Sequence, residues 1–497
     1  MVPRQIAIAF NAGWCVLNLL RRVVRLFAFG KKSAGVLFIG CSCFSAYGAD
    51  LLDVYRLALR NDPTFEVARY TLNAAKEKYP QALAGLLPTL SLNGSNNVTQ
   101  AKNQFSNADA VSRDVHSWNW TLQLTQPLIR LQNWYAYGEA GVALEQAQAQ
   151  YNVAEQDMIL RVVQAYFGVL ASRKGIRVAE AELAATEEQF ELSKRGFERG
   201  ITAITDVRES RSRVDLARSH LVAARNDLDA MNAELGKIVD DVPSQLAALD
   251  LSVDLPLPQP NDKQAWIAQA RANNPAVRAA QAGLLVAEKV VGKTRSEHAP
   301  TLDLVASYGE NYSTGSTIMP TDFASRGLSN QIGIQYTVPL FAGGGTSSHV
   351  AEAIANKYRA GAELEVARRK AATEARVAFA GVVNGVSQVA ALVSAVESSQ
   401  SAVSGSHAGY KAGVYNNIDV LNAEQQFYTV TRDMVKARYE TLLQGLKLKA
   451  AAGILNNVDL IFTNALLVNN EAEQPSEFRN AEQPAEVSRT EQLNEIK

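Results

Sequence analysis

Cysteine is scarce in this sequence, and its position matters as much as its number. The chain has 497 residues and three cysteines, Cys15, Cys41 and Cys43, so none follows position 43. Loss of the N-terminus would leave a protein with no thiol and no disulfide. Such a protein suits an oxidising compartment, in which a stray thiol is a liability.

An excess of charge of either sign is also absent. The sequence holds 49 lysines and arginines against 50 aspartates and glutamates, and 47% of its residues are hydrophobic. This balance excludes a basic nucleic-acid-binding protein and a disordered chain. We therefore expect no nucleic-acid partner.

The sequence has no pattern of catalytic or metal-ligating residues, which predicts a protein that is not an enzyme and needs no cofactor and no metal. The histidines lack metal-site spacing, and we expect them to be solvated. They are His116, His220, His298, His349 and His407. The segment AGGGTSSH from Ala342 resembles a phosphate loop but lacks the lysine that would reach a phosphate. Its place before a long helix predicts a flexible strand-to-helix junction.

The first 48 residues have the order of features that a secretory signal requires. Basic residues up to Lys32 precede the apolar run AGVLFIGCSCFSA, and the small residues of AYGAD follow it. We expect cleavage after Gly48 or Ala49. The run is short for a membrane span. A retained anchor helix over 7–29 and a lipoprotein signal at Cys41, for which Phe38 is a poor fit, are the alternatives.

Proline is missing from two long stretches, between Pro127 and Pro243 and between Pro339 and Pro475. Helix-forming residues fill the first stretch from 131 to about 198, which would make a helix about 100 Å long at ~1.5 Å per residue. Small and apolar residues recur there at spacings of four and three, which predicts coiled-coil packing against an antiparallel return helix. The predicted seam residues are Ala165, Val169, Ser172, Ile176, Ala179 and Leu183.

The sequence also contains an internal repeat. NDPTFEVARYTLNAAKEKYPQALAGLLPTLSL from Asn61 matches NNPAVRAAQAGLLVAEKVVGKTRSEHAPTLDL from Asn273, 212 positions later, and Asp206 and Asp419 are 213 apart. Such self-similarity indicates a duplicated module. We predict a signal peptide over 1–48, a first copy over 49–240, an extended linker over 241–260, a second copy over 261–460 and a disordered acidic tail over 461–497.

Each copy is predicted to contain two strands of about ten residues with one apolar face, because apolar and polar residues alternate. Strands of this length match a tilted membrane strand, and tryptophan suits the lipid interface. The predicted apolar faces contain Trp118, Trp120, Leu122 and Leu124 in the first copy and Ile332, Ile334 and Tyr336 in the second. A soluble hairpin packed on the helices is the alternative.

Four strands cannot close a barrel, and open sheet edges are not tolerated in lipid, so several chains would have to pool their strands. Two chains would supply eight strands and three would supply twelve. The polar loops over 103–116 and 310–330 would then face the outside of the cell, and the long helices would extend into the periplasm.

The duplicated order of NDP and NNP, PTL, QPL and VPL, and the turns RGITAITDV and AGVYNNIDV resembles the TolC-like family of outer-membrane efflux and secretion channels, over about 51–460. The resemblance implies a mixed α and β fold. A homotrimer would form a twelve-strand barrel in the lipid of the Gram-negative outer membrane. A twelve-helix barrel would reach a periplasmic adaptor and an inner-membrane transporter. Type I protein secretion channels are the most similar members. A drug or metal efflux component is the alternative, as is a soluble coiled-coil adaptor.

The resemblance further implies a periplasmic gate at the two turns. Asp206 and Tyr410 would hold neighbouring coils closed by hydrogen bonding, and Asp419 would form a ring of carboxylates that attracts cations. Tyr415 stands in place of a basic residue of the latch, and Asn422 in place of a second ring acid. The closed state would therefore be less tightly tied, and the ring less charged.

Helix capping is the alternative interpretation of the turn residues. Gly200 and Gly413 are suited to helix C-termini, and Asp206 with Glu209 has capping-box spacing.

Asp419 is the stronger gate candidate for a related reason. Either Asn416 or Asn417 could cap the following helix in its place. The Asp419 carboxylate would then be free to face the lumen.

Overall fold

The computed structural model describes residues 49–104, 109–249, 253–317 and 323–468. The predicted signal peptide and the tail from 469 onward lie outside these residues. Residues 461–468, which we assigned to the disordered tail, are instead part of a helix and a short strand. That strand pairs with residues 248–249, which lie within the predicted extended linker.

The described part of the chain contains nine α-helices and six strands. The helices are α1 (Leu51–Asn61), α2 (Pro63–Ala84), α3 (Leu131–Glu198), α4 (Ile204–Val239), α5 (Lys263–Asn273), α6 (Pro275–Arg295), α7 (Gly345–Lys411), α8 (Asn417–Ala451) and α9 (Asn457–Asn464). The strands are β1 (Thr89–Asn103), β2 (Val111–Ile129), β3 (Ala248–Leu249), β4 (Thr301–Ser313), β5 (Ser325–Thr337) and β6 (Leu467–Val468). An order of two helices, two strands and two long helices runs from α1 to α4 and again from α5 to α8.

The helix starts follow the local chemistry that the sequence predicts. The Asp62 side chain accepts a hydrogen bond from Thr64 N at 3.0 Å, and Pro63 occupies the first turn of α2. Asn274 caps α6 in the same way, with Pro275 after it. Proline at the first helical position loses no hydrogen bond, so both helices begin where a cap and a proline meet.

The long helices form two antiparallel pairs. Hairpin 1 consists of α3 and α4, and hairpin 2 consists of α7 and α8. The 68 residues of α3 coincide with the predicted helix. Of its predicted seam, Ala165, Val169 and Ala179 are buried. Gly343 and Gly344, both with positive φ, connect β5 to α7, which places AGGGTSSH at the predicted junction.

After position 180, toward the end of the helix, the seam of α3 differs from the prediction. Leu183 is only half-buried there, and the buried positions are polar. They are Glu182, Thr186, Gln189 and Ser193. The spacings of four, three and four continue, so the packing face is helical as expected. The prediction was wrong about its chemistry, because it assumed that only small or apolar residues would face the partner helices.

Four strands form one antiparallel sheet in the order β1-β2-β4-β5, with β1 and β5 at its edges. The strands have 13 to 19 residues, so the predicted length of about ten was too short. The β1–β2 ladder continues from Asn97 opposite Ser117 to Asn103 opposite Val111. Backbone pairing does not depend on side-chain polarity, so the strands persist into both segments predicted as loops, as far as Asn103 and Val111 in the first copy and Ser313 and Ser325 in the second.

The main apolar core lies where α1 and α9 pack on the two hairpins. It includes Val162, Tyr166, Val169 and Leu170 of α3, Leu235 of α4, and Tyr439 and Leu443 of α8. A buried ion pair lies beside it: Arg161 Nη2 is 2.7 Å from Asp62 Oδ2, whose side chain is 1% exposed. The hairpins are therefore joined by apolar packing at mid-length.

Candidate functional site

Two regions carry the residues that the sequence singles out: one face of the sheet and the two hairpin tips. On the sheet, residues paired across neighbouring strands point to the same side. One cross-strand row contains Leu90, Leu124, Ala306 and Ile332, and the next contains Leu92, Leu122, Tyr308 and Asn330. The opposite side has rows of Ser91, Gln123, Ser307 and Gln331, and of Asn93, Thr121, Gly309 and Ser329. In these rows the sheet thus has one apolar side and one side of uncharged polar residues.

The predicted strand-face residues all lie on the apolar side. Trp118, Trp120, Leu122 and Leu124 alternate along β2, and Ile332, Ile334 and Tyr336 alternate along β5. The three residues of β5 are 64–76% exposed. The soluble-hairpin alternative placed this face against the helices, and the exposure contradicts it.

Aromatic and charged side chains mark the loop end of the apolar face. The Trp118 and Tyr312 rings stack at 5.7 Å between centroids. Glu310 and Arg326 form an ion pair beside them. Aromatic rings and ion pairs at one end of an apolar face are typical of a membrane–water interface.

The two tip turns share one backbone conformation. Gly200 has a φ of 73° and Gly413 a φ of 75°. Gly200 N donates to Phe197 O at 2.9 Å, and Gly413 N donates to Tyr410 O at 3.0 Å. Both glycines end their helices in the left-handed conformation, as the capping interpretation predicts.

Asp206 and Asp419 occupy the third helical position after their turns. An oxygen of Asp419 accepts from Asn416 N at 3.0 Å, while Asn416 Oδ1 accepts from Asp419 N at 2.9 Å. Asp206 accepts more weakly from Ala203 N, at 3.4 Å. The expected capping box that begins at Asp206 was therefore wrong, since Ala203 is the N-cap. Asn416 caps α8 as expected, but the Asp419 carboxylate takes part in the same cap and is not free. The Asp419 side chain is nevertheless exposed.

Tyr410 and Tyr415 do not join the two hairpins. Among the described residues, the Tyr410 hydroxyl and the Asp206 carboxylate form no hydrogen bond with each other. The Tyr415 ring lies over Gly409 of its own hairpin, where an added Cβ would collide with it. A latch between Asp206 and Tyr410 would thus need a second chain.

Asn422 is engaged by a residue that the sequence analysis did not identify. Arg213 Nη2 donates to Asn422 Oδ1 at 3.0 Å, and Arg213 Nη1 donates to Gln425 Oε1. Arg213 Nε also donates to Glu209 Oε1 at 3.2 Å. This arginine on α4 therefore connects hairpin 1 to hairpin 2.

A buried polar network lies behind Arg213. Gln189 donates to Asn417 Oδ1, and Asn417 Nδ2 donates to Ser210 Oγ at 2.6 Å. Ser210 Oγ is 3.1 Å from Ser193 Oγ. All four residues are at most 2% exposed. For Gln189 and Ser193 the signal was present in the sequence, as polar residues at helical seam spacing on α3.

Two histidines near this network pair with buried glutamates, although their own side chains are 36% and 38% exposed to solvent. His407 Nε2 is 2.9 Å from Glu424 Oε1, and His220 Nδ1 is 3.2 Å from Glu182 Oε1. Burial and then the charges of Glu424 and Glu182 raise the pKa of Tyr428 well above its usual value. Both carboxylates therefore lie close to Tyr428, between the hairpins.

Within the described ranges no group of three or more histidines, cysteines or carboxylates could hold a metal ion. One helix, α7, is long and apolar enough to cross a membrane by composition, and only 22% of its most apolar 18 residues are buried.

The site consists of an exposed apolar sheet face, two long hairpins and a polar contact at their tips. A sheet of membrane type joined to helical hairpins defines the class of outer-membrane conduits.

Comparison with known proteins agrees with this class. The family model described as "Outer membrane efflux protein" matches residues 54–239 and 266–454. The alkaline protease secretion protein AprF of Pseudomonas aeruginosa is 30% identical over 437 residues, covering 86% of this chain and 89% of AprF. The outer membrane protein TolC of Escherichia coli is 29% identical and covers 86% of each chain. The chain belongs to the outer membrane efflux protein family.

Solved structures show the same fold at low sequence identity. The CmeC outer membrane channel of Campylobacter jejuni has a TM-score of 0.70 at 17% identity, covering 84% of this chain and 89% of CmeC. The outer membrane protein VceC of Vibrio cholerae has a TM-score of 0.68 at 18% identity, covering 81% and 96%. The protein is thus a TolC-type channel of the Gram-negative outer membrane, which contradicts the soluble-adaptor alternative.

Proposed function

We propose that three copies of this chain form a channel through which an inner-membrane transporter exports protein across the periplasm and the outer membrane. The observation that carries the proposal is the sheet, which has one apolar face, one polar face and two unpaired edges at β1 and β5. Such edges are unsatisfied in lipid unless other strands cover them. Three four-stranded sheets would close a twelve-stranded barrel with the polar faces inside.

The height of the apolar face supports placement in a membrane. Ten residues separate the row of Leu302 from the row of Tyr312 on β4, which is about 33 Å at ~3.3 Å per residue. At a tilt of about 45° this corresponds to about 23 Å along the membrane normal, close to the ~25 Å apolar band of outer-membrane barrels. The loops at 104–110 and 314–324 would lie outside the cell and the hairpins in the periplasm.

The exposed apolar surface of α7 supports the homotrimer. Val366 and Val377 are 66% and 61% exposed in the single chain. Apolar side chains along a helix of 67 residues would be covered if neighbouring chains pack their hairpins side by side. A helical barrel that continues the strand barrel has this arrangement, and its free end would meet the adaptor and the transporter.

Protein is the cargo that the relatives favour. AprF is an alkaline protease secretion protein, and the protein PrtF of Dickeya chrysanthemi, 28% identical over 440 residues, is a proteases secretion protein. The middle rows of the polar face consist of uncharged residues such as Ser91, Gln123 and Thr121, which suits passage of an unfolded polypeptide with side chains of either charge. Type I secretion would use the chain as the outer-membrane component.

Small-molecule efflux is the second candidate. The toluene efflux pump outer membrane protein TtgC of Pseudomonas putida is 24% identical over 417 residues. Deletion of the gene separates the two candidates: loss of a secreted protein from the medium supports secretion, whereas increased sensitivity to solvents and drugs without that loss supports efflux. Cross-linking the assembled protein to its inner-membrane partner would identify the transporter in either case.

We further propose that the tip residues Asp206, Tyr410, Asp419 and Asn422 form the periplasmic gate, with an exposed Asp419 from each chain around the lumen. Tyr415, expected in the gate from the sequence, packs on Gly409 of its own hairpin and is left out of this proposal. Asp419→Ala should weaken the block of single channels by a trivalent cation such as hexaamminecobalt, because the ring loses its negative charge. Asp215→Ala on α4 removes an equally exposed carboxylate and should leave the block unchanged. Equal block in the wild type and Asp419→Ala would remove Asp419 from the ring.

A further inference from the structure

The guanidinium of Arg213 reaches across the boundary between the hairpins. It lies on α4, and its two acceptors, Asn422 Oδ1 at 3.0 Å and Gln425 Oε1, both lie on α8. Residues three positions apart share one face of a helix. The forked guanidinium can therefore bind two amide oxygens of hairpin 2 at once.

A third contact fixes the direction in which Arg213 points. Glu209, one turn earlier on α4, accepts from Arg213 Nε at 3.2 Å. The arginine side chain is 24% exposed, so it is largely shielded from water. Because its inner nitrogen is held on hairpin 1, the two outer nitrogens are oriented toward hairpin 2 before any contact forms.

The surface beneath Arg213 is unlike the contact at mid-length. At mid-length the hairpins are joined by apolar residues such as Val162 and Leu443, and their separation would expose apolar surface to water. At the tip, polar residues take part in the contact: Gln189, Ser210 and Asn417 are buried there beside apolar residues such as Leu421. Water can replace hydrogen bonds of this kind, so the tips can separate at lower cost than the middle.

We propose that Arg213 is the latch residue that holds the tip of hairpin 2 closed against hairpin 1 within each chain. Tyr415 does not do this, since its ring packs on Gly409 of its own hairpin. Opening would break the bonds from Arg213 to Asn422 and Gln425 and hydrate the buried network, while the apolar contact at mid-length stays intact. The inference rests on the proposed channel function and assigns it a gating residue.

The test measures the fraction of time that the full chain, purified as its assembled channel, spends fully open in planar lipid bilayers in potassium chloride. Arg213→Met keeps the length of the side chain and removes the donors, and we expect about a tenfold larger open fraction, equivalent to ~1.4 kcal/mol. Asn422→Leu removes one acceptor and should raise the open fraction to a smaller extent. The double variant should not exceed Arg213→Met, because both changes break the same contact.

The matched control is Arg218→Met. Arg218 also lies on α4, but it pairs at 2.9 Å with Glu187 of the same hairpin and is 60% exposed, so its loss should leave the open fraction unchanged. Asn422→Asp should lower the open fraction, because a carboxylate binds the guanidinium more strongly than an amide does. A general weakening of the tip would not produce this opposite sign.

The outcomes separate the latch from the channel. A wild-type protein that conducts no current contradicts the proposed channel function. A conducting wild type with unchanged open fractions in Arg213→Met and Asn422→Leu overturns the latch alone, as does an equal increase in Arg218→Met. If Arg213→Met does not assemble, Asn422→Leu and Asn422→Asp decide by the sign of their effects.

Discussion

At the tip of hairpin 1, α3 ends at Glu198 and Gly200 turns the chain with a φ of 73°. At the tip of hairpin 2, α7 ends at Lys411 and Gly413 turns the chain with a φ of 75°. Each turn is followed by an aspartate at the third position of the return helix. The backbone is the same because the residues that determine it, glycine and aspartate, recur in both copies.

The side chains between these shared residues behave differently. Ala203 has no side-chain group to cap α4, whereas Asn416 caps α8. Ile204 is 44% exposed, while the residue at the corresponding position of hairpin 2, Asn417, is 2% exposed. One repeated turn thus faces away from the other hairpin, and the other faces into the contact. The repeated residues determine the backbone conformation of each turn, whereas the surrounding residues determine which of its side chains are buried.

The largest effect is expected at Asn417. Asn417→Leu would leave the side-chain amide of Gln189 without its acceptor in a buried site, whereas Ser210 would keep its contacts to Ser193 and Asp206 O. The loss should cost about 1 to 3 kcal/mol. Amides over 405–425 in the assembled protein should then exchange hydrogen faster. Ile204→Ala in hairpin 1 should change exchange at its own tip by less than about 0.5 kcal/mol, since the residue is exposed. Equal effects at the two positions would contradict the difference between the turns.

The second largest effect is expected at the two turn glycines, and it should be equal in the two turns. Gly200→Ala and Gly413→Ala each place a Cβ in open space, but at a positive φ, which costs roughly 1 to 2 kcal/mol. Gly405→Ala, inside α7 and also with open space around it, should instead stabilise the helix by about 1 kcal/mol. Hydrogen exchange at each tip measures all three, and a clear inequality between the first two would show that the turns are not equivalent.

The caps should respond with opposite signs. Asn416→Ala removes the side-chain acceptor of α8 and should destabilise the tip of hairpin 2 by about 1 kcal/mol. Ala203→Asn supplies that acceptor to α4 and should stabilise the tip of hairpin 1 by a similar amount. The protection of the first-turn amides of each return helix reports both changes. Destabilisation by Ala203→Asn would mean that the two turns differ in backbone as well as in side chains.

The smallest effect is expected at Tyr415. Tyr415 is 51% exposed and its ring packs on Gly409 of its own hairpin, so Tyr415→Ala should cost about 0.5 kcal/mol. The open fraction in bilayers should stay that of the wild type, in contrast to Arg213→Met. An increase as large as that of Arg213→Met would place Tyr415 in the latch.

Local rules predicted much of the fold. The caps at Asp62 and Asn274, the glycines at 200 and 413 and the bounds of α3 all follow from a few neighbouring residues. The alternation in β2 and β5 correctly assigned seven side chains to one face. These features depend on interactions between residues that are close together in the chain, so they can be predicted from the local sequence.

The remaining features depend on contacts between residues far apart in the chain. Arg213 and Asn422 are joined across two hairpins, and so are Gln189 and Asn417. Capping at Ala203 and the pairing of His407 with Glu424 were also missed, because a residue's spacing does not reveal what will surround it. The strand lengths were too short because the prediction followed side-chain alternation, while the ladder follows backbone pairing.

By itself, the sequence determined the helices, the turns, the two-sided strands and the repeated order of these elements, because these follow from propensity and periodicity along the chain. Only the tertiary structure decided which face of each hairpin is buried, and hence that polar residues take part in joining the tips. The physical reason is that a residue becomes buried only when a second surface packs against it. Two copies with the same local pattern can therefore differ in which of their residues connect the hairpins.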